Sequence, residues 1–146
     1  MNLLAQAWLL SGSLVAAVYD LRERRVPNAV IAALLLAWPV FGIGEPGGWW
    51  VRGLVGFTLV GVPLLALALT AGLGMGDVKL GAVMGMYLGP GQALLAVATA
   101  TMLAGMVHAL LLVRRRAKWV SPKSEMPFAP FLAMATLFAL GIRLPF

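Results

Sequence analysis

Two aspartates interrupt a chain that is otherwise almost entirely apolar. Asp20 follows the first apolar run, and Asp77 lies between two later runs. An ionisable side chain at membrane depth costs about 3 kcal/mol or more, so its presence indicates a functional site. Two carboxylates that share a site tend to share one proton. The ionised one can activate water while the protonated one donates to a carbonyl oxygen, which is the chemistry of an aspartyl hydrolase.

Each aspartate also has a purely structural interpretation. Asp20 precedes a cluster of arginines between positions 22 and 25, and it could pair with them at a helix end. Asp77 could cap a helix or form an ion pair with Lys79. Glycines at positions 72, 74 and 76 favour a functional role for Asp77, because glycine permits close approach of the backbone. The sequence does not assign the roles of acid and base.

Other catalytic chemistries have less support. His108 is the single histidine, and Ser11 and Ser13 lie in the first apolar run, at a different predicted membrane depth. The absence of cysteine excludes disulfides, thiolate nucleophiles and cysteine-ligated zinc. We expect neither a metal nor another cofactor, because too few ligands cluster in the sequence.

The composition predicts an all-α integral membrane protein. The 146 residues are 62% hydrophobic and 11% charged, and the mean hydropathy is +0.95. The net charge of +6 does not indicate nucleic-acid binding, because the basic residues flank apolar runs. We predict a single polytopic domain over residues 1–146, with a first apolar run that is retained as a helix. The predicted membrane spans are residues 3–19, 29–44, 53–73, 78–88, 93–113 and 126–142.

The fourth predicted span is short, at roughly 16 Å against a hydrocarbon core of about 30 Å. Charge nevertheless favours a crossing. With six crossings and the N-terminus outside, nine of the eleven basic residues face the cytoplasm. Both aspartates then lie at the cytoplasmic side. The short span also predicts that Asp77 lies below the membrane surface in irregular backbone that water can reach.

Small and aromatic residues predict how the helices pack. Gly81, Gly85 and Gly89 recur every four residues, which is typical of close helix packing in membranes. Trp49 and Trp50 are typical of anchors at the membrane interface.

Three segments resemble one protein family. GMGDVKL at residues 74–80 resembles the GxGD motif of membrane aspartyl proteases, in the form typical of type IV prepilin peptidases. Asp20 and the Val-Pro-Asn at residues 26–28 are similar to that family's first aspartate and its downstream motif. MPFAPFLA at residues 126–133 resembles its Pro-Phe-Gly-Pro-Phe segment, with Ala129 in place of glycine.

The resemblance implies an aspartic endopeptidase with Asp20 and Asp77 as its catalytic pair. Its substrates would be type IV prepilins or pseudopilins, whose basic leader is removed after a glycine at the cytoplasmic face of the bacterial inner membrane. Its partners would be that substrate and membrane lipids, without nucleic acid. Residues expected to shape the site are Gly74, Gly76, Lys79, Pro127, Phe128 and Pro130.

The first connection departs from the long members of that family. Those members carry a cytoplasmic insertion with paired cysteines, which is linked to N-methylation of the new pilin terminus. Here only residues 21–28 separate the first two predicted helices. The chain is therefore similar to the short, peptidase-only forms that serve tight-adherence or Flp-type pili.

Two alternatives stay open. Archaeal preflagellin peptidases share the GxGD motif and a similar short helical core. A small cation- or proton-coupled transporter would also use paired membrane carboxylates. Many transporters contain internal repeats, and the halves of this chain differ in motif and in loop length.

Overall fold

The computed structural model describes residues 3–43, 45, 47–71, 73–114 and 128–141. All regular secondary structure in these residues is helical, which confirms the predicted fold class. Six helices lie in the described part of the chain, as predicted, whereas the number and direction of membrane crossings stay predictions. The helices are α1 (Leu3–Glu23), α2 (Asn28–Phe41), α3 (Gly48–Ala71), α4 (Met75–Leu88), α5 (Pro90–Arg114) and α6 (Ala129–Gly141).

The helices fall into two classes of length. α1, α3 and α5 are long and apolar enough to cross a membrane, over Leu3–Glu23, Gly48–Thr70 and Pro90–Val107. α2 and α4 have 14 residues each and α6 has 13. At a rise of about 1.5 Å per residue, these shorter helices are roughly 20 Å long.

Helix α4 lies at the centre of the bundle and contacts each of the other five helices. Every residue from position 80 to position 88 is buried. Around α4, neighbouring contacts run from α2 to α1, then to α6, α5 and α3. The helix that carries Asp77 is therefore enclosed by the rest of the bundle.

Glycines allow α3 and α4 to approach closely. Gly56 of α3 faces Gly85 of α4, and a Cβ atom on either would overlap the backbone carbonyl of the other. Gly81 likewise accommodates the side chain of Leu64. In a bilayer, where lipid tails are as apolar as side chains, such van der Waals contact drives helix association. The predicted packing role is confirmed for these two α4 glycines, whereas Gly89 ends the helix at φ 77°.

Two side-chain hydrogen bonds fix α2 along the second half of α4. The Trp38 indole Nε1 donates to the carbonyl oxygen of Met86 at 3.2 Å. The Tyr87 hydroxyl donates to the carbonyl oxygen of Leu34 at 2.7 Å. Trp38 also contacts both tryptophans in the first turn of α3. The two hydrogen bonds satisfy the buried polar atoms of Trp38 and Tyr87.

The end of α1 differs from the prediction. The helix does not end at Tyr19 but continues through Asp20 to Glu23, which places Asp20 on the buried face of the helix. Arg24 then ends the helix with a left-handed backbone at φ 52°. Its N–H donates to the carbonyl oxygen of Asp20 at 2.9 Å.

The start of α4 also differs, and the prediction of irregular backbone at Asp77 is wrong. Gly74 is extended and forms the N-cap, and α4 begins at Met75 rather than at position 78. The N–H groups of Asp77 and Val78 both donate to the Gly74 carbonyl oxygen, at 3.0 and 3.3 Å. Asp77 therefore belongs to the first helical turn. Similarly, α5 begins at Pro90 rather than at position 93, because proline suits a first helical turn.

Alanine at position 85 should test the close contact between α3 and α4. We expect Gly85→Ala to lower the free energy of unfolding by about 1–3 kcal/mol, because the new methyl group meets backbone that cannot rotate away. Gly105→Ala is the matched control, since that glycine lies in α5 with open space beside it. Thermal unfolding in detergent micelles, followed by circular dichroism, measures both. Equal midpoints for the two variants would contradict the tight contact.

Candidate active site

Asp20 occupies the buried face of α1, together with Ser13, Ala16 and Ala17. Its side chain is 5% exposed. Oδ2 accepts a hydrogen bond of 3.1 Å from the backbone N–H of Ala129. Ala129 is the first residue of α6, so this N–H is one of the donors that a helix cannot satisfy internally. The carboxylate therefore caps α6 from a different helix, where the helix dipole favours negative charge.

Asp77 lies in the first turn of α4 and is 7% exposed. Its Oδ1 atom is buried and has no hydrogen-bond partner. Gly74 lies close beside it, since a Cβ atom there would be 3.0 Å from Asp77 Oδ2. A side chain at position 74 would therefore crowd the second carboxylate oxygen.

The two carboxylates form a pair. Both side chains are buried, and the helices that carry them, α1 and α4, contact each other directly. Within the described residues, neither aspartate has a lysine or arginine as an ion-pair partner. Among these residues, the predicted ion pairs of both aspartates are therefore wrong, and Asp20 instead accepts a hydrogen bond from Ala129. The predicted helix cap is also wrong, because Gly74 rather than Asp77 is the N-cap of α4. Two carboxylates buried together cannot both ionise easily, which suits them to acid–base chemistry.

Two of the sequence motifs meet beside this pair. Lys79 does not pair with Asp77; its Nζ donates to Asn28 Oδ1 at 3.2 Å. Gly76 faces Val26, and a Cβ atom on Gly76 would lie 3.0 Å from the Val26 Cβ. The Val-Pro-Asn segment at residues 26–28 is thereby held against the first turn of α4.

The third motif, at residues 126–133, contributes a backbone group to the site rather than a side chain. Phe128 is buried just before α6, and Pro130 is half-buried in the first turn of that helix. Pro127 lies outside the described residues. Ala129 has no exposed surface, and its N–H contacts Asp20. Sequence reasoning missed this contact, because the donor is a backbone group that no side chain reveals; Pro130 signals only that a helix begins nearby.

Other candidate groups do not join the pair. The hydroxyls of Ser11 and Ser13 donate within α1, to the carbonyl oxygens of Trp8 and Leu9 at 2.9 and 2.7 Å. The side chain of His108 is not among those that the structure describes. Over the described ranges, no group of three or more His, Cys, Asp or Glu residues could hold a metal ion.

A comparison with known proteins identifies a matching family. The sequence profile of the type IV leader peptidase family matches residues 7–110, which include both aspartates and the Val-Pro-Asn segment. No curated protein and no solved structure matches the chain. The matched range covers well over half of the 146 residues. The chain therefore belongs to the type IV leader peptidase family, a family of proteases.

Proposed function

We propose that this protease is an aspartic endopeptidase with Asp20 and Asp77 as its catalytic pair. The observation that carries the proposal is the arrangement of the two carboxylates. They are almost fully buried on helices that contact each other, and neither has a basic ion-pair partner among the described residues. Such an arrangement favours one shared proton, which an aspartyl mechanism requires.

Peptide hydrolysis then needs no group beyond the pair and one water molecule. The ionised carboxylate takes a proton from water as the water oxygen adds to the scissile carbonyl carbon, and the protonated carboxyl gives its proton to the carbonyl oxygen. The C–N bond of this tetrahedral intermediate then breaks, as its nitrogen takes the proton that the first carboxylate removed from water. A hydroxyl proton of the intermediate returns to the second aspartate, which regenerates the starting pair.

The proposed substrate is a type IV prepilin or pseudopilin, cleaved after a glycine at the cytoplasmic membrane face. Family membership supports a prepilin as the general kind of partner. Only residues 24–27 separate α1 from α2, which leaves no space there for a methylation insertion. This short connection supports a peptidase-only enzyme of the Flp or tight-adherence type.

We place this single domain of residues 1–146 in the bacterial inner membrane, with six crossings. Three long apolar helices support a multi-pass membrane protein. The distribution of basic residues supports an outer N-terminus and a cytoplasmic active site. Family membership favours this protease over a cation or proton transporter.

Leader removal from a co-expressed Flp-type prepilin is the direct test of the proposed function. A gel shift reports the loss of the leader, and membrane fractions report that both proteins are present. Cleavage in cells that express the chain supports the proposal. Failure to cleave a panel of class III, Flp-type and archaeal preflagellin substrates would contradict it.

Replacement of either carboxylate should stop the reaction. We expect Asp20→Asn and Asp77→Asn each to lower the cleavage rate by at least roughly 100-fold, because each removes one proton-transfer group. Glu23→Gln is the control, since Glu23 is an exposed carboxylate at the end of the same helix as Asp20. Leader cleavage in proteoliposomes gives the rates. Retained cleavage in either asparagine variant would refute the catalytic pair.

The hydrogen bond between Lys79 and Asn28 should position the site rather than take part in the chemistry. We expect Lys79→Met and Asn28→Leu each to lower kcat/KM by roughly 3- to 10-fold, consistent with a net hydrogen bond of about 0.5–1.5 kcal/mol. The kcat/KM of the double variant should be no lower than that of either single variant, because each single substitution already removes the same hydrogen bond. Multiplied losses in the double variant would mean that the two residues act separately.

A side chain at position 76 should displace the Val-Pro-Asn segment at residues 26–28, which packs against the first turn of α4. We expect Gly76→Val to abolish cleavage, because its branched side chain must push Val26 and the backbone beside it. Gly91→Val is the matched control, since Gly91 also lies in a first helical turn and faces open space. The same proteoliposome assay applies. Equal activity in both variants would argue against close packing at Gly76.

A further inference from the structure

We infer that the two aspartates have fixed, different roles: the Ala129 backbone N–H holds Asp20 as the ionised base, and Asp77 carries the shared proton. The inference rests on the proposed function and adds the division of labour within the pair. In this arrangement Ala129 is a positioning residue, which acts on the reaction only through Asp20.

One contact of Asp20 favours its charged form and offsets part of the cost of burying that charge. Its Oδ2 accepts the Ala129 N–H at 3.1 Å. A hydrogen bond to an ionised acceptor is stronger than one to a neutral acceptor, so this donor selects the carboxylate. The donor is also the first residue of α6, a helix of 13 residues, where the dipole adds positive potential.

The surroundings of Asp77 favour its protonated form. Its Oδ1 is buried and receives no hydrogen bond. Although Asp77 lies in the first turn of α4, no N–H group of the described residues donates a hydrogen bond to its carboxyl group. A buried negative charge without a donor is costly, whereas a neutral carboxyl group keeps an O–H that can donate to a substrate.

No ionisable side chain that the structure describes on the surrounding helices reverses this assignment. On α4, Lys79 bonds Asn28, and Tyr87 donates to the carbonyl oxygen of Leu34. The sequences of α2 and α6 carry no ionisable side chain. α3 carries Arg52, which packs beside Gly89 at the opposite end of α4. The remaining ionisable residues are the exposed Tyr19, Arg22 and Glu23 of α1, and His108 and Arg114 of α5, whose side chains lie outside the described set.

The assignment gives each proton a defined place. Asp20 takes the proton from water, and Asp77 gives its own proton to the carbonyl oxygen of the substrate. In the second step Asp20 protonates the leaving nitrogen, and Asp77 recovers a proton from the hydroxyl of the intermediate. Both groups return to their starting states.

Replacement of one backbone amide by an ester tests the role of Ala129. Lactic acid at position 129, delivered by a suppressor tRNA in cell-free synthesis into nanodiscs, removes the N–H and keeps the methyl side chain. Without its donor Asp20 binds its proton more tightly. We therefore expect the acidic limb of the kcat/KM profile to move up by about one to two pH units.

Phenyllactic acid at position 131 is the matched control. The N–H of Phe131 donates to the Phe128 carbonyl oxygen at 3.0 Å, so this ester removes a bond from the same helical turn without touching Asp20. Its acidic limb should stay in place. Equal shifts in both esters, or no shift in either, would overturn the role of Ala129.

Infrared spectroscopy of the resting protein locates the proton without cleavage and covers the case of an inactive ester. At neutral pH the wild type should show the C=O stretching band of a protonated carboxyl group. The band should vanish in Asp77→Asn and stay in Glu23→Gln. A wild type without the band, or a band that survives in Asp77→Asn, overturns the assignment. Failure to cleave any prepilin by protein made with alanine-charged tRNA would instead count against the proposed function.

Discussion

A carboxylate inside a helical bundle needs a donor, and Asp20 finds one in the backbone of α6. The bond joins residues 20 and 129, which are 109 positions apart in the sequence. It ties the last turn of α1 to the first turn of α6, two helices that also pack against each other. An uncompensated buried charge costs several kcal/mol, so the loss of this bond would penalise the ionised form of Asp20.

Helix α2 is positioned by contacts at both of its ends. Near its start, Asn28 accepts a hydrogen bond from Lys79 of α4. Farther along α2, Trp38 donates to the backbone of α4, and Tyr87 of α4 donates to the backbone of α2. Three hydrogen bonds along one helix pair fix its register as well as its orientation. The position of the Val-Pro-Asn segment at residues 26–28 is therefore fixed by the contacts along α2, as well as by local packing against Gly76.

The sequence indicated the two aspartates of the candidate site but not the contacts that they make. Asp20 and Asp77 are recognisable because charge is rare in apolar runs, and Gly81 and Gly85 because small residues at helical spacing indicate packing. The ends of α1 and α4 were predicted wrongly because hydropathy reports contact with lipid and does not report where helical hydrogen bonding stops. Gly74 and Gly76 were interpreted as irregular backbone, although glycine also serves as an N-cap and within a first turn. The bond from Ala129 could not be predicted, since every non-proline residue carries the same backbone donor.

The enclosure of α4 also removes a difficulty with its length. A helix of roughly 20 Å in contact with lipid would oblige the surrounding bilayer to thin, or its flanking residues to stretch toward the interface. Hydrophobic mismatch acts only on surfaces that lipid touches, and residues 80–88 are covered on all sides by other helices. The large apolar side chains that are exposed belong mainly to the outer helices, such as Val62 of α3 and Leu36 of α2. Direct contact with lipid therefore does not constrain the length of α4, whose first turn carries Asp77.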